Sequence, residues 1–277
     1  MLLISKEGEN KMRDYRISTL TIAGSDSSGG AGVQADLKTF SAIGTYGMSV
    51  ITAITAQNTQ GVFLVEDLSN EIIKKQIEVV FEDIEPKAVK IGMVSSPEII
   101  LGIVEMLKKY NPKYLVVDPV MISKSGYSLL KPEAKKNLIE YLLPMAYVLT
   151  PNIMEAEEIS GVKINNLEDM KEAGKKILEI GSKYVLMKGG HLDGDAVDVL
   201  IGENTFEIYK KERLNRKNTH GTGCTLSSAI TSYLALGYSI EKAVELSKLY
   251  ITEAIRYSFD IGNGVGPVNH FYKFQYK

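Results

Sequence analysis

The sequence predicts an α/β fold in which helices cover both faces of a mainly parallel central sheet. Two observations carry this prediction. Short apolar runs rich in β-branched residues alternate along the chain with longer amphipathic segments. Polar or glycine-rich residues follow six of these runs in the same way. Such alternation is typical of strand–helix–strand units joined by right-handed crossovers.

The elements follow in order from hydrophobic periodicity and from the turn residues between them. A glycine-containing turn between two strand-like runs predicts a hairpin over 197–209, and two long helices, 222–236 and 240–257, close the chain. The other predicted strands span 17–23, 48–54, 88–91, 114–117, 147–149 and 184–187, and the predicted helices between them span 31–43, 70–81, 97–109, 132–142, 153–160 and 167–180.

The composition indicates a globular protein with one sizeable core. The chain has 277 residues, of which 44% are hydrophobic, and we expect a loose extension over 1–15 followed by a single domain over 16–277. A net charge of −2 with scattered Lys and Arg argues against a nucleic-acid partner. We also expect no membrane span, no signal peptide and a cytoplasmic location.

The polar residues at the strand ends predict where ligands bind. In an open parallel sheet, ligands lie beyond the carboxyl ends of the strands. Such residues follow the carboxyl ends of six predicted strands, namely 24–32, Gln57 with Asn58, Gly92 with Met93, Asp118 with Pro119, 151–155 and 188–190.

Two glycine-rich turns suggest a site for two substrates. The segment NTHGTGCT at 218–225 opens one helix, and AGSDSSGGAG at 23–32 opens another. Glycines at a helix start allow an anion to approach the free N–H groups of the first turn. Each turn taken alone is also compatible with an ordinary strand–helix connection, whereas the pair favours a seat for phosphate.

The residue pattern narrows the nucleotide chemistry. The sequence has no Gly-x-x-x-x-Gly-Lys-Ser/Thr motif, and 29–32 lacks the glycine spacing of a dinucleotide site. Asp118 and Glu155 are suited to Mg²⁺ held partly through water, beside phosphates that the ion would neutralise. Lys188, Gly221 and Gly223 are placed to share the remaining phosphate charge.

Long motifs of this chain closely resemble the hydroxymethylpyrimidine/phosphomethylpyrimidine kinases of thiamine biosynthesis, which are members of the ribokinase-like superfamily. The resemblance extends from about residue 17 to the C-terminal segment GVGPVNH at 264–270. It rests on AGSDSSGGAGVQADLKT at 23–39, TPN at 150–152 and HGTGC at 220–224.

The resemblance implies an ATP-dependent kinase that phosphorylates 4-amino-5-hydroxymethyl-2-methylpyrimidine and then its monophosphate. It implies a homodimer, to which apolar residues of 48–54 are candidates to contribute, and loops at 27–30 and 123–126 that cover the site. It also implies three sets of residues: Cys224, Gly221 and Gly223 in catalysis; Gly24, Asp36, Gln57, Met93 and Val120 at the pyrimidine; and Asp118, Asn152, Glu155, Lys188, Thr222 and Lys248 at ATP, with Asp118 and Glu155 holding Mg²⁺.

Simpler interpretations stand beside several of these assignments. Met93 and Val120 suit a hydrophobic core, Cys224 suits helix packing, and Lys248 suits a solvated helix face. His220 is interpreted as a hydrogen-bonding residue without a metal role. At the level of function, the alternatives are a pyridoxal or pyridoxine kinase and a regulator that binds the pyrimidine without turnover. A lowered pKa for Cys224 at the helix start would suit a base, although ATP phosphates oppose such a shift.

Overall fold

A single sheet of nine strands forms the centre of the structure, a computed structural model that describes residues 17–122, 126, 129–190 and 195–274. The strands are β1 (Ser18–Asp26), β2 (Tyr46–Asn58), β3 (Gly61–Asp67), β4 (Ala88–Ile91), β5 (Leu115–Val117), β6 (Val148–Leu149), β7 (Tyr184–Lys188), β8 (Ala196–Gly202) and β9 (Thr205–Lys211). The predicted extension over 1–15, and the predicted loop at 123–126 apart from Gly126, lie outside the described residues.

Eight α-helices connect or follow these strands in the described part of the chain. They are α1 (Gly32–Ile43), α2 (Asn70–Asp83), α3 (Pro97–Tyr110), α4 (Ala134–Asn137), α5 (Ile153–Ser160), α6 (Leu167–Leu178), α7 (Thr222–Ala235) and α8 (Ile240–Arg256). The chain after α4 continues through a π-helical turn (Leu138–Leu142) and a 3₁₀ turn (Leu143–Met145). The predicted helix over 132–142 therefore begins at Ala134 and changes from α-helical to π-helical within its length.

The strand order is β3-β2-β1-β4-β5-β6-β7-β8-β9. The six strands from β2 to β7 in this order are mutually parallel, and β3, β8 and β9 pair antiparallel. The mainly parallel sheet and the C-terminal hairpin are confirmed. Because parallel strands end at the same edge, the polar residues that follow these six strands lie along one edge of the sheet.

Two apolar layers hold the helices against the sheet. On one face, the buried side chains of β1, β4 and β5 pack against α2, α3 and the helices up to α6. On the other face, Val116, Val148 and Leu186 pack against α7 and α8. The alternation of side chains along each strand therefore supplies both faces, as a doubly covered sheet requires.

The second face is polar where β1 and β4 pass beneath α1 and α7. Lys90 in β4 is fully buried, and its Nζ lies 2.9 and 2.7 Å from the two carboxylate oxygens of Asp36 in α1. Ser228 in α7 and Thr21 in β1 each donate a hydrogen bond of 2.6 Å to the same carboxylate. One ion pair thus joins two strands and two helices.

The hairpin of β2 and β3 was not predicted, and it differs from the rest of the sheet. Strand β2 is nearly twice the length of the strand predicted over 48–54, and β3 lies at the open edge. Phe63 and Leu64 in β3 are 67% and 64% exposed. The side chains of β3 do not alternate between buried and exposed. The periodic pattern that predicted the other strands is therefore missing from β3. The described part of the chain also contains no helix long and apolar enough to cross a membrane.

The buried ion pair gives a prediction about stability. Replacing Lys90 by methionine leaves the Asp36 carboxylate buried without its cation, and we expect a loss of about 3–5 kcal/mol in the free energy of unfolding. The matched control is Lys74→Met, which removes an exposed pair with Glu105 and should cost less than about 1 kcal/mol. Urea unfolding of both variants measures the difference, and equal losses would contradict the structural role of Lys90.

Candidate active site

The start of α7 forms a tight turn against the first glycine-rich turn. Gly221 is the N-terminal cap residue of α7 and has a φ of 78°, in the left-handed region that glycine tolerates. A Cβ atom at this position would overlap the carbonyl oxygen of Gly30. Two turns that are far apart in sequence are therefore in direct contact, and glycine is required where they meet.

A charged hydrogen bond also connects the two turns. Oδ2 of Asp26 lies 2.8 Å from Nε2 of His220, and the same carboxylate accepts the backbone N–H groups of Ser28, Gly30 and Ala31. Burial would raise the pKa of Asp26, but the hydrogen bonds from His220 and Ser28 lower it to about 2. Asp26 therefore stays ionised and organises the first turn. The interpretation of His220 as a hydrogen-bonding residue is confirmed.

A second charged group lies beside the start of α7. Nζ of Lys188, at the end of β7, lies 2.8 Å from Oδ1 of Asp118, which follows β5. Thr150 donates a hydrogen bond of 3.1 Å to the same oxygen. A Cβ added to Gly223 would lie 3.4 Å from Oδ2 of Asp118 and 3.5 Å from Nζ of Lys188. The structure thus brings the predicted anion turn and the predicted lysine–carboxylate pair together.

Glu155 completes this end of the site. Asn152 caps α5 by accepting the N–H of Glu155 at 2.9 Å, and Glu155 accepts the N–H of Asn152 at 2.8 Å. This reciprocal capping box fixes the Glu155 carboxylate. Burial raises its pKa to about 7, the charge of Asp118 adds to this effect, and Lys188 opposes it. The Glu155 carboxyl group therefore titrates near neutral pH.

Lys188 responds in the opposite direction to the same neighbours. Burial alone would lower the pKa of Lys188, but the carboxylates of Asp118 and Glu155 raise it above its ordinary value. Lys188 consequently remains a cation at the edge of the sheet. A fixed cation beside free helix N–H groups is suited to phosphate.

Cys224 lies in the first turn of α7 and is partly exposed. Burial of its thiol raises its pKa to about 11; Asp36 and Asp118 act in the same direction, and Lys90 opposes them. The lowered pKa considered from the helix position is therefore wrong in this structure. The thiol is protonated at neutral pH and is not a ready thiolate base.

Asp36 lies beneath the site. Its carboxylate is fully buried, and Lys90, Thr21 and Ser228 together donate to both of its oxygens. The open acceptor that the sequence led us to expect is not present. The ion pair is joined through Ser228 to the middle of α7, and a direct contact between Asp36 and a pyrimidine remains only a prediction.

The other predicted pyrimidine contacts lie at the ends of four strands, β1, β2, β4 and β5. Gly24 stands at a register irregularity of β1, and a Cβ there would lie 3.0 Å from Sδ of Met93. Gln57 follows a similar irregularity in β2, and Val120 follows β5 and is half-buried. The structure thus places Gly24 against Met93. Bulges commonly redirect side chains next to active sites.

The last two predicted ATP contacts, Lys248 and Thr222, are also engaged within the protein. Nζ of Lys248 lies 2.6 Å from Oδ2 of Asp198 and is largely buried, so the solvated helix face is wrong. Asp198 also accepts the N–H of Gly189, just after Lys188. The hydroxyl of Thr222 donates to the carbonyl of Thr219 at 2.7 Å. Contacts of Lys248 and Thr222 with ATP stay predictions.

A cavity of about 300 Å³ opens next to His220. Gly24, Met93 and Val120, which are predicted to contact the pyrimidine ring, are not among the described residues that line this cavity. Side-chain chemistry therefore identifies the site better than cavity size. As for metal ligands, no three His, Cys, Asp or Glu side chains cluster in the described part of the chain. The residues that line the cavity are Ser28, Gly30, Asn58, Thr59, Gln60, His220, Ile261, Gly262, Asn263 and Pro267.

Sequence reasoning missed the roles of Asp26 and Lys90. Asp26 lies in the motif at 23–39, and its position two residues before Ser28 is a signal for a side chain that caps its own turn. Lys90 lies in a four-residue strand whose members are all buried. A lysine within such an apolar run indicates a buried partner, since an unpaired charge there is too costly.

Fold and site together define an α/β kinase of the ribokinase-like class, with a glycine-capped helix start beside a lysine–carboxylate pair at the carboxyl edge of the sheet. The family described as phosphomethylpyrimidine kinase matches residues 26–269, and the chain belongs to this family. A hydroxymethylpyrimidine/phosphomethylpyrimidine kinase of Rhizobium meliloti is 51% identical over 258 residues, which is 92% of this chain and 97% of that protein.

Further relatives connect the chain to thiamine biosynthesis and to pyridoxal kinases. The bifunctional thiamine biosynthesis protein ThiED of Geobacter sulfurreducens is 48% identical over 92% of this chain, which spans about half (52%) of that protein. The crystal structure of phosphomethylpyrimidine kinase from Clostridium difficile 630 is 76% identical, with a TM-score of 0.78 over 86% of this chain and 99% of that one. Pyridoxal kinase of Staphylococcus aureus in complex with AMP-PCP and pyridoxal is 40% identical, with a TM-score of 0.86 over 93% and 94%.

The contact between the two turns gives a prediction with a close control. Gly221→Ala places a methyl group against the Gly30 carbonyl and forces an unfavourable φ, so we expect it to cost clearly more than the about 1–2 kcal/mol of the backbone conformation alone. Gly237, just after α7, has a φ of 89° with no atom within 4 Å of an added Cβ. Gly237→Ala should therefore show only the backbone cost. Unfolding free energies and turnover of both variants test this, and similar values would contradict the close approach.

Proposed function

We propose that the protein transfers a phosphoryl group from ATP to the hydroxymethyl group of 4-amino-5-hydroxymethyl-2-methylpyrimidine, and in a second turnover to the resulting monophosphate. Both reactions would serve thiamine biosynthesis, as in the kinases of the same family. The observation that carries the proposal is the Asp118–Lys188 pair beside Gly223, because it places a cation and a carboxylate next to the first turn of α7. This combination suits a transferring phosphate.

In each transfer, a P–O bond forms to the substrate oxygen while the bond from the γ-phosphorus to the β–γ bridging oxygen breaks. In the first transfer, the hydroxyl proton of the pyrimidine passes to an oxygen of the transferred phosphoryl group or to water. The N–H groups of α7 and Nζ of Lys188 would stabilise charge on the phosphoryl oxygens. Positioning and charge neutralisation supply most of the rate in reactions of this kind.

Asp118 and Glu155 would hold Mg²⁺, partly through water. Two carboxylates and no larger cluster among the described side chains suit an ion that keeps most of its water and takes phosphate oxygens as ligands. The bound ion would neutralise charge on the nucleotide phosphates. Burial is the main cause of the raised pKa of Glu155, so a cation bound beside this carboxylate would stabilise its ionised form.

Cys224 would contact the substrate as a neutral thiol. With a pKa raised to about 11, it does not accept a proton in the resting state. A small S–H group at the start of α7 can donate a weak hydrogen bond to the hydroxymethyl oxygen and leave space for the incoming phosphate. This role requires no activation of the nucleophile.

Pyridoxal phosphorylation is the second candidate function. The specific observation in its favour is the close structural match to a pyridoxal kinase bound to AMP-PCP and pyridoxal. The relatives named as pyrimidine kinases are more similar in sequence, and they favour the pyrimidine. A regulator without turnover would not need the complete set of Lys188, Glu155 and the α7 turn.

A homodimer is part of the proposal. Within the predicted region 48–54, Met48 and Val50 are buried and Ile54 is 52% exposed. Together with Phe63 and Leu64, Ile54 gives the β2–β3 edge an exposed apolar surface. A second copy of the chain would cover this surface, because exposed apolar edge strands are prone to pairing.

The function is tested by supplying purified protein with ATP and one acceptor at a time. We expect turnover of the hydroxymethylpyrimidine and of its monophosphate, with the mono- and diphosphate identified by mass. Pyridoxal at the same concentration should be phosphorylated less efficiently. A preference for pyridoxal would reassign the substrate, and binding of the pyrimidine without ATP consumption would favour the regulator.

The raised pKa of Glu155 predicts a pH-dependent metal requirement. Only the ionised carboxyl group binds Mg²⁺, and its pKa is about 7, so the apparent affinity should rise about tenfold between pH 6 and pH 8. Glu155→Gln cannot ionise and should require more Mg²⁺, with a flatter pH dependence. Magnesium titrations of turnover at several pH values measure this. Because ATP also titrates in this range, the variant shows how much of the pH dependence belongs to ATP. If the Mg²⁺ requirement changed with pH in the same way in both proteins, Glu155 would not be part of the metal site.

A further inference from the structure

A chain of hydrogen-bonding groups holds the side chain of Gln57 at both ends. Nε2 of His220 lies 2.8 Å from Oδ2 of Asp26 and 3.2 Å from Nε2 of Gln57. The other carboxamide atom of Gln57, Oε1, lies 3.2 Å from Oγ1 of Thr55. Because these neighbours touch both polar atoms, they decide which way the carboxamide is turned.

Asp26 determines where the proton on His220 lies. The Asp26 carboxylate already accepts the N–H groups of Ser28, Gly30 and Ala31, and it is ionised. The hydrogen between Asp26 and His220 is therefore on Nε2 of the imidazole. A protonated ring nitrogen has no lone pair, so it cannot accept a hydrogen bond from a carboxamide NH₂ group.

Thr55 imposes the complementary requirement. Its hydroxyl lies 2.9 Å from the carbonyl oxygen of Ser25, which takes its only hydrogen. The hydroxyl therefore presents lone pairs to Gln57 and needs a donor opposite them. Rotation of the Gln57 carboxamide by 180° exchanges its oxygen and nitrogen in place. After that rotation, the single Nε2 hydrogen of His220 is shared between Asp26 and the Gln57 oxygen, and Thr55 accepts from the Gln57 nitrogen.

The main chain of Gln57 is fixed as well. Ser27, in the first glycine-rich turn, donates its hydroxyl to the carbonyl of Gln57 at 2.7 Å and accepts the N–H of Gln57 at 2.9 Å. The register irregularity between Ala56 and Gln57 redirects the side chain at this point. With its backbone held, the carboxamide retains one freedom, which is the rotation that His220 and Thr55 control.

We infer that His220 is a positioning residue that holds the Gln57 carboxamide with its oxygen toward His220 and its nitrogen toward Thr55, and so determines which way round the substrate ring binds. The inference rests on the proposed phosphorylation of an aminopyrimidine. It adds to that function a group that need not touch the substrate itself.

The orientation matters because an aminopyrimidine is not symmetric. Its 4-amino group donates beside a ring nitrogen that accepts, and a carboxamide can pair with both groups at once, as glutamine does with adenine. The reactive hydroxymethyl group is on the carbon next to the amino-bearing one. Reversal of the carboxamide would favour a ring turned over, with its hydroxymethyl group directed away from Cys224.

The kinetic test compares two substitutions of His220 on two acceptors. His220→Leu removes the donor and keeps an apolar side chain, whereas His220→Gln keeps an N–H near the position of Nε2. We expect His220→Leu to lower kcat/KM for the aminopyrimidine about tenfold, the equivalent of one hydrogen bond, with kcat affected and the KM for ATP unchanged. His220→Gln should recover most of this loss.

The second acceptor is the same pyrimidine without its 4-amino group. It offers no donor to the Gln57 oxygen, so His220→Leu should change its kcat/KM little, and the discrimination between the two acceptors should fall. Equal losses on both acceptors, or a raised KM for ATP, would overturn the inference in favour of a general structural role. If wild-type protein does not phosphorylate the aminopyrimidine at all, the proposed function fails instead.

A measurement without substrate keeps the inference independent of that outcome. The side-chain amide signals of Gln57 in a ¹⁵N–¹H NMR spectrum are assigned by their loss in Gln57→Leu protein. They should shift in His220→Leu protein and return toward the wild-type position in His220→Gln protein. The control is Asn263→Leu, which alters the same cavity wall at an exposed residue. Unchanged Gln57 signals in His220→Leu protein would overturn the inference.

Discussion

The buried ion pair between Lys90 and Asp36 is the interaction on which the arrangement of the site depends. Two charges without solvent are stable only when each is fully paired, so β4 and α1 have one permitted separation. Ser228 donates to the same carboxylate and holds α7 in register with both. The strands and helix that carry the predicted pyrimidine contacts are thereby held in a fixed position relative to α7, which carries the predicted catalytic turn.

Charge balance at the carboxyl edge of the sheet explains the protonation of Glu155 and Cys224. The same burial that excludes water from the site raises the pKa of both Glu155 and Cys224. Lys188 compensates one carboxylate, that of Asp118, and a further negative group is therefore poorly tolerated. Under the proposed function, nucleotide phosphates would enter this environment together with a cation, and the site would favour a metal-bound nucleotide over a free one.

The fold was largely predictable because burial leaves a clear pattern in a doubly covered sheet. Apolar runs and turn residues predicted the parallel strands, the polar residues at their carboxyl ends and the hairpin of β8 and β9. The β2–β3 hairpin was not predictable in this way, since its exposed Phe63 and Leu64 break the rule that apolar side chains are inside. Motifs identified the Gly221 turn and Lys188. The burial of Asp36 and the raised pKa of Cys224 depend on neighbours distant in sequence, which no local pattern reports.

The contact between Gly30 and Gly221 has a consequence for how the molecule folds. Loop closure over so long a separation is entropically costly, and such contacts form late compared with local helices and hairpins. A ribosome-bound chain that has not yet emerged as far as α7 possesses the first turn and most of the sheet, but lacks the turn against which that first turn packs. Regain of activity after denaturation would therefore report the last stage of folding, later than the recovery of helical structure.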